Sequence, residues 1–421
     1  MTDDVGTTPE VPLIPEIPIL QAPRDGVPDI IDTPAGLAQL ATAMASGTGP
    51  VAVDTERAQG FRYTARAYLL QFRREGAGTA LLDPIPLLPE PGLSALQASL
   101  DDAEWIIHAA TQDLPCLVDA GLLPHRLFDT ELAARLLGYP RVALGTLAEQ
   151  LLGVRLLKEH SAADWSVRPL PLDWLSYAAL DVELLMELRD ILSDQLVAAG
   201  KDEWARQEFA YLLDQAALPV TPRVDPWRRT SGIHGVRSPR ALAMVRELWT
   251  TRDELARSLD KAPGRILGDE AIATVATGIR EGSPVPDGKS LQAIPRFNRR
   301  EAKRYRQTWL DAIQRAMQLP TTELPPMYLP SDGPPPPRTW PSRDPVAAKR
   351  WEAVRPVLTD LADTLALPIE NLIPPDPLRR LLWTPSGIDE ASVRTQLADL
   401  GVRAWQVDIV APPIATSLAE L

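Results

Sequence analysis

The sequence predicts an α/β domain with a mixed sheet, followed by one or two all-helical modules. Four apolar segments are candidate strands, at residues 50–56, 67–73, 79–83 and 104–108. The spacings between the first three are short enough for antiparallel hairpins, and the pattern then changes to alternating strand and helix. Beyond residue 225, apolar residues recur with helical periodicity, as in ALAMVRELWTTRDELARSL.

Two acids in the first predicted strand are candidates for a functional site. In VAVDTE, side chains alternate between the two faces of the strand, so Asp54 and Glu56 share one face while Val51, Val53 and Thr55 share the other. The two carboxylates therefore converge on one point. Taken alone, the pair is also consistent with solvated charges on an edge strand, because acids are ordinary where a sheet face meets water.

Three further candidates follow in later segments. Asp113 precedes a predicted helix that begins near Leu114 and Pro115, and Tyr177 and Asp181 are four residues apart in a periodic apolar stretch. A helix places residues four apart on the same side, which sets a phenol beside a carboxylate. Two other interpretations stay open. Asp113 is also a suitable helix N-cap, and the tyrosine and aspartate also fit the edge of an ordinary amphipathic helix.

Four carboxylates and a phenol suit a site for two magnesium ions. A hard divalent cation prefers oxygen ligands, and magnesium combines one or two carboxylates with water and substrate phosphate oxygens. Two ions about 3.5–4 Å apart can activate an attacking water and stabilise the leaving 3′ oxygen. The set predicts phosphodiester hydrolysis. Tyr177, with a reference pKa of about 10, is predicted to orient the water by hydrogen bonding and not to act as a nucleophile.

In this order and with these neighbours, the motifs resemble the tyrosine-type DEDD 3′–5′ exonucleases, and among them ribonuclease D. The resemblance covers roughly residues 35–215 and rests on LLQF at 69–72, LLDP at 81–84, HAATQDL at 108–114, FDTELAARLLGY at 128–139, LGTLAEQLLGV at 144–154 and ADWSVRPLPLDWLSYAALDV at 163–182. It implies a ribonuclease H-like mixed sheet. It also implies Tyr177 as the water-orienting residue and the following metal ligands: Asp54, Glu56, Asp113 and Asp181.

The resemblance implies an activity as well. The expected enzyme is a metal-dependent 3′–5′ exoribonuclease that uses two Mg²⁺ or Mn²⁺ ions and releases nucleoside 5′-monophosphates. The expected partner is RNA with a single-stranded 3′ end, such as a tRNA precursor. A 3′–5′ DNA exonuclease and a non-catalytic RNA-binding scaffold stay open as alternatives. One departure from the family is that Ala109 and Ala110 follow the histidine of the second motif, where an asparagine is common.

Composition and length fit an enzyme of several domains. A chain of 421 residues suggests about three domains, and the apolar fraction of 45% suffices for ordinary cores. The single cysteine, Cys116, excludes an intrachain disulfide framework. The N-terminal segment is acidic and interrupted by prolines, unlike a signal peptide, and no segment approaches the roughly 18 apolar residues of a membrane span. We therefore expect a cytoplasmic protein without a membrane partner.

Charge is distributed unevenly along the chain. The net charge is −13, but residues 223–310 contain 18 Lys and Arg against 10 Asp and Glu, an excess that favours phosphate binding. Residues 238–272 resemble the HRDC domain, and we predict a nucleic-acid-binding domain over 223–318. The candidate contacts, interleaved with aromatic residues, are Arg296, Arg299, Arg300, Lys303 and Arg304. A basic helix bundle without a ligand is the alternative.

The remaining segments complete the predicted organisation. Residues 1–34, acidic and rich in proline, are predicted to be a disordered arm before an exonuclease domain at 35–215. Proline density predicts an extended linker over 319–345. Residues 346–421 have a helical pattern in which IENLIPPDPLRRLLW loosely echoes RDELARSLDKAPGRILGDEAI of the HRDC-like segment. This echo predicts a diverged second HRDC-like module.

Overall fold

A computed structural model describes residues 17–89, 92–156, 160, 162–279, 284–329 and 332–421. The strands of the described ranges are β1 (Ile19–Leu20), β2 (Ile30–Ile31), β3 (Thr48–Arg57), β4 (Ala67–Glu75), β5 (Gly78–Leu82), β6 (Glu104–Ile107), β7 (Arg126–Asp129) and β8 (Arg155–Leu156). Six of them form one sheet in the order β2-β5-β4-β3-β6-β7, and β1 pairs separately with β8.

The central sheet is mixed, as the sequence predicts. β4 lies antiparallel to both β3 and β5, so the first three predicted strands form the expected hairpins. β6 then pairs parallel to β3, and β7 pairs parallel to β6. Strand β3 is therefore central, and polar side chains on either of its faces lie between neighbouring strands rather than at an edge of the sheet.

Helices cover both faces of this sheet. The helices of the N-terminal half are α1 (Pro34–Ser46), α2 (Ser94–Leu100), α3 (Leu114–Asp119), α4 (Thr130–Leu136), α5 (Leu144–Leu147), α6 (Leu172–Glu183), α7 (Leu185–Ala198) and α8 (Asp202–Ala216). Val51 and Val53 on one face of β3 belong to the core that includes α1 and α2. Ala52 on the opposite face packs with Val182 of α6 and Leu185 of α7. Helix α6 therefore lies over the face that also carries Asp54.

A second group of helices has a hydrophobic core of its own. These helices are α9 (Pro239–Ser258), α10 (Pro263–Ile266), α11 (Asp269–Thr277), α12 (Gly288–Gln292), α13 (Arg300–Arg304) and α14 (Arg306–Gln318). Apolar positions recur along α9 and α14, and their buried side chains meet in a core that includes Leu248, Ile272 and Trp309. This helical unit, residues 226–318, is called the basic module below.

The central sheet and helices α1–α8 are called the sheet domain below. The C-terminal helices pack onto this domain and share its core. They are α15 (Trp340–Arg343), α16 (Pro345–Thr364), α17 (Ile369–Leu372), α18 (Pro375–Trp383), α19 (Glu390–Asp399) and α20 (Ala404–Ala419). One continuous cluster of buried side chains joins Leu358 and Val410 of this C-terminal module, residues 340–419, to Leu136 and Phe209 of the N-terminal half.

Two predictions about irregular segments are wrong in part. Residues 17–34 are not disordered, because β1 and β2 pair with β8 and β5 and Arg24 donates a 2.6 Å hydrogen bond to Glu187 of α7. Residues 1–16 lie outside the described residues. The predicted linker is not extended at its end, because Trp340 is fully buried and begins helix α15. Its indole ring packs against Trp351 and Trp383, which offsets the entropy lost by ordering the segment.

Candidate active site

Three of the predicted acids meet between β3 and α6. The carboxylates of Asp54, Glu56 and Asp181 each offer an oxygen atom, and these atoms all lie within 4.8 Å of one another. Strand alternation brings the first two to the face that α6 covers, and the helix places Asp181 above them. A cleft of about 400 Å³ opens at this point, and all five predicted site residues line it.

Asp113 reaches the same cleft from the segment after β6. It occupies the N-cap position of α3, but its side chain makes no cap hydrogen bond. Instead, Oδ1 accepts a 2.6 Å hydrogen bond from the hydroxyl of Thr55, and Nη2 of Arg57 lies 3.8 Å from the same oxygen. The carboxylate is therefore turned towards β3 and the other acids. This orientation agrees with a role in the site and not with a role as the N-cap of α3.

Tyr177 lies one helical turn before Asp181, and its phenol interacts with that carboxylate. The ring packs against Trp165 at a centroid distance of 6.4 Å and against His160 at 6.0 Å. Burial and three neighbouring acids raise the pKa of Tyr177 above its usual value. The phenol therefore stays protonated at neutral pH and acts as a hydrogen-bond donor.

The segment that supports Tyr177 is anchored to the sheet by one arginine. Arg168 donates to the carbonyl oxygens of Trp165 and Tyr68, each at 2.8 Å, and to the buried carboxylate of Asp83 at 2.5 Å. Because Trp165 packs on the tyrosine ring, this anchor sets the position of the phenol over the cleft. Asp83 and Arg168 both lie within the segments that resemble the family, but no spacing rule connects them.

The electrostatics of the cleft favour an added cation. Burial, followed by the neighbouring carboxylates, raises the pKa of Glu56 to about 10 and that of Asp54 well above its usual value. Burial likewise raises the pKa of Asp181 to about 7 and that of Asp113 to about 6. Four acids with raised pKa values are not all ionised at neutral pH by themselves, so a bound cation would favour their charged forms.

The protein itself supplies little positive charge here. Among the lining residues that the structure describes, Arg57 is the only side chain with a permanent positive charge. Burial lowers the pKa of His108, which follows β6 directly, to about 4, and its Nδ1 lies 2.9 Å from the hydroxyl of Thr130. His108 is thus neutral at pH 7. Four oxygen donors and one arginine fit hard divalent cations, which take carboxylate ligands.

Sequence analysis missed Asp129, which organises the turn that leads to Asp113. Its buried carboxylate accepts hydrogen bonds from the backbone N–H groups of Ala109 and Ala110, at 3.1 and 2.9 Å, and it also caps α4. Ala109 has a left-handed backbone conformation with φ of 60°. Asparagine adopts that conformation more readily than alanine, which gives a physical reason for the asparagine common at this turn in the family. The sequence does contain one signal for this residue, because aspartate is a preferred N-cap and Asp129 directly precedes the helix that begins at Thr130.

The predicted nucleic-acid contacts all lie on the basic module, but their surroundings differ from one residue to the next. Arg296 is paired with Glu270 at 2.6 Å, whereas Arg300, Lys303 and Arg304 are exposed. Arg299 lines a cleft of about 730 Å³ between the basic module and the loop after β3. The structure does not bring these residues into the acidic cleft, so any role in binding concerns RNA outside the reacting end.

Family models match three parts of the chain. A 3′–5′ exonuclease model matches residues 28–197, an HRDC domain model matches 241–313, and a model of the C-terminal domain of 3′–5′ exonucleases matches 333–418. Ribonuclease D of Nitrobacter hamburgensis is 30% identical over 302 residues, which cover 70% of this chain and 76% of that protein. The chain belongs to the ribonuclease D family.

Solved structures agree with this assignment. A protein from Bifidobacterium adolescentis has a TM-score of 0.86 and 39% sequence identity, covering 96% of this chain and 100% of that one. Escherichia coli RNase D, described as an exoribonuclease involved in structured RNA processing, has a TM-score of 0.66 and 26% identity, covering 93% and 98%. As a member of the ribonuclease D family with a matching exonuclease domain, the chain is a 3′–5′ exoribonuclease that acts on RNA.

The domain boundaries and the HRDC-like character of the C-terminal module stay predictions. The family model that matches residues 333–418 describes the C-terminal domain of 3′–5′ exonucleases and not an HRDC domain. In the part of the chain that the structure describes, helices fall short of the length and apolar character needed to cross a membrane. The cytoplasmic location stays a prediction.

Proposed function

We propose that Asp54, Glu56, Asp113 and Asp181 hold two divalent metal ions, Mg²⁺ or Mn²⁺, and that Tyr177 orients the attacking water. The observation that carries this proposal is the convergence of four carboxylates with raised pKa values in one cleft. When bound, the ions would lower the pKa of the attacking water and stabilise the charge on the leaving 3′ oxygen.

The side chains of the cleft have separate roles in the proposed reaction. The acids of β3 and α6 offer oxygen ligands from two rigid elements, which preserves their relative positions during the reaction. The protonated phenol of Tyr177 donates a hydrogen bond from one turn above Asp181, where a water beside that carboxylate would accept it. Arg57 adds a positive charge to which a substrate phosphate is attracted.

The proposed substrate is RNA with a single-stranded 3′ end, with tRNA precursors as the candidate class. The description of E. coli RNase D as a processor of structured RNA supports this proposal. Of the basic residues predicted to contact RNA, we favour Arg299, because the cleft that it lines is formed partly by the loop following β3, the strand of Asp54 and Glu56. A strand whose 3′ end lies at these acids would continue along that loop.

Degradation of matched RNA and DNA single strands, each labelled at its 5′ end, tests this function. Reactions with Mg²⁺ or with EDTA compare the native chain with Asp54→Asn, Asp181→Asn and Tyr177→Phe. We expect metal-dependent shortening of RNA from its 3′ end. Each aspartate substitution should reduce the rate by a factor on the order of 10² or more, because it removes an anionic ligand. The phenylalanine variant should retain metal binding but lose rate.

The other outcomes identify the alternatives. DNA digestion as fast as RNA digestion would favour a 3′–5′ DNA exonuclease. Tight RNA binding without cleavage at any metal concentration would favour a non-catalytic scaffold. Full activity in both aspartate variants would contradict the proposed metal ligands while leaving the exonuclease activity itself in place.

A further inference from the structure

Thr55 stands between the two acids of β3, on the opposite face of the strand, and its side chain is buried. Sequence patterning groups it with Val51 and Val53 as an ordinary core residue. Its hydroxyl, however, donates a 2.6 Å hydrogen bond to Oδ1 of Asp113. Thr55 is thus in contact with a proposed metal ligand from another segment of the chain.

The helix that follows Asp113 is a poor partner for its carboxylate, because the backbone of Asp113 is helical, with φ of −103° and ψ of −33°, whereas a capping residue is normally extended. At the N-cap of α3, an aspartate side chain normally accepts a hydrogen bond from a backbone N–H in the first turn. Of the two N–H groups that a capping side chain usually accepts from, the first is missing because Pro115 has no N–H. The second belongs to Cys116, and the Asp113 side chain makes no hydrogen bond to it. The carboxylate is instead bonded to the hydroxyl of Thr55, which turns it away from its own helix.

Neighbouring contacts hold the backbone of this segment independently of the carboxylate. Nη1 of Arg57 donates to the carbonyl oxygen of Gln112 at 2.6 Å, and the thiol of Cys116 donates to the carbonyl oxygen of Asp113 at 3.1 Å. These contacts hold the backbone, and the 2.6 Å hydrogen bond from Thr55 is the closer of the two contacts to Oδ1 of Asp113, because Nη2 of Arg57 lies 3.8 Å away.

We propose that Thr55 is a positioning residue, whose hydroxyl holds Oδ1 of Asp113 and so leaves Oδ2 free to ligate a divalent cation in the cleft. This inference rests on the metal-binding function proposed for Asp113. Partners of metal ligands that fix ligand orientation typically account for 10- to 100-fold in metal affinity or activity. Valine matches threonine in shape but cannot donate, so Thr55→Val should leave the Asp113 carboxylate without the hydrogen bond that orients it.

Calorimetric titration of Mn²⁺ into the full-length protein without RNA tests the inference, with Thr55→Val, Thr55→Ser and Asp113→Asn as variants. We expect Thr55→Val to weaken Mn²⁺ binding roughly 10-fold or more. The serine variant, which keeps the hydroxyl, should bind close to wild type. With RNA present at a fixed subsaturating metal concentration, Thr55→Val should lower kcat and leave KM for RNA unchanged. Added Mn²⁺ should restore kcat.

A double variant isolates the interaction. In the Asp113→Asn background, Thr55→Val should cause little additional loss of affinity, because the hydrogen bond it removes no longer serves a charged ligand. If the valine variant fails to fold, Thr55→Ala measured in the same way takes its place.

Two results would overturn the inference. Wild-type Mn²⁺ affinity in Thr55→Val would show that the hydroxyl does not matter. Equal losses in the serine and valine variants would show that keeping the hydroxyl does not preserve binding, which would assign the effect to the shape of the side chain. Wild-type affinity in Asp113→Asn is a different failure, because it removes Asp113 from the proposed ligands and contradicts the proposed function itself.

Discussion

The basic module and the C-terminal module contain a similar succession of helices but are joined to the sheet domain in different ways. In each, a helix of 20 residues is followed by one of four and then one of nine: α9–α11 in the first and, after the short α15, α16–α18 in the second. The C-terminal module shares one hydrophobic core with the sheet domain, whereas the basic module has a separate core.

The contacts at the two junctions explain this difference. Trp405 of the C-terminal module stacks on Trp204 at 4.7 Å, and Arg403 binds both oxygens of Glu208, at 2.6 and 2.9 Å. At the other junction, the main contacts are polar: the Tyr63 hydroxyl with Asp253, and the Ala262 N–H with the Phe61 carbonyl. A similar succession of helices is thus part of the core of the sheet domain in the C-terminal module. In the basic module it is joined to that domain mainly by polar contacts.

Removing one side chain from each core should produce the largest contrast. Leu358 of α16 and Leu248 of α9 are both fully buried, so each substitution by alanine should cost about 3 kcal/mol. Because Leu358 belongs to the shared core, its loss should speed amide hydrogen exchange in β3 and α7, whose buried side chains belong to the same core. Leu248→Ala should speed exchange only in α9–α14. Unchanged exchange in β3 and α7 of the Leu358→Ala variant would show that the C-terminal module and the sheet domain are not coupled through this core.

Changing pH without metal should destabilise the sheet domain and spare the basic module. The pKa values of Asp181 and Glu56 are raised to about 7 and about 10, above their unfolded values, so the native state binds protons more tightly. Stability is therefore lost as pH rises from 6 to 8, on the order of 2 kcal/mol, and divalent cations should restore it. Hydrogen exchange at both pH values, with and without Mg²⁺, measures this. Equal losses in both units would refute it.

Conservative substitutions at the two junctions should differ in their cost. Glu208→Gln removes the charge that binds Arg403 in a buried setting and should cost about 1.5 kcal/mol. Asp253→Asn alters a more exposed junction and should cost less than about 0.5 kcal/mol. Chemical denaturation of both variants provides the comparison. A larger loss in Asp253→Asn would mean that the polar junction is the stronger one.

The smallest expected effect concerns RNA affinity. Arg299→Glu on the basic module should weaken binding of single-stranded RNA by an amount on the order of 1 kcal/mol and reduce the slope of log K against log salt by about 0.7 for one lost phosphate contact. Lys349→Glu is the matched control, because Lys349 is an exposed cation of the C-terminal module. Filter binding in EDTA, with the Asp54→Asn variant that we expect to be inactive, gives both slopes. Equal effects would assign the result to net charge alone.

Much of the sheet and the site could be predicted because they depend on local pattern. Alternation in β3 predicted both the strand and the shared face of Asp54 and Glu56, and four-residue spacing predicted the contact of Tyr177 with Asp181. The roles of Thr55 and Asp129 could not be predicted, since each depends on a partner at least 19 residues away that no periodicity connects.

The errors in the predicted arm and linker have a similar cause. Strands β1 and β2 contain two residues each, too few for alternation to be visible, and they are stabilised by pairing with β8 and β5. Proline density indicated an extended segment around Trp340, but burial of one indole against two others outweighs that tendency. The sequence pattern therefore indicated two helical modules, but it did not indicate that the C-terminal one shares its core with the sheet domain.

The proposal that one acidic cleft holds the catalytic metal ions can be tested by diffraction. Anomalous scattering from crystals soaked in Mn²⁺ would be measured for the native chain and for Asp54→Asn. We expect Mn²⁺ peaks between the carboxylates of Asp54, Glu56, Asp113 and Asp181, reduced or lost in the variant. Mn²⁺ bound elsewhere, or peaks at this cleft unchanged by Asp54→Asn, would contradict it.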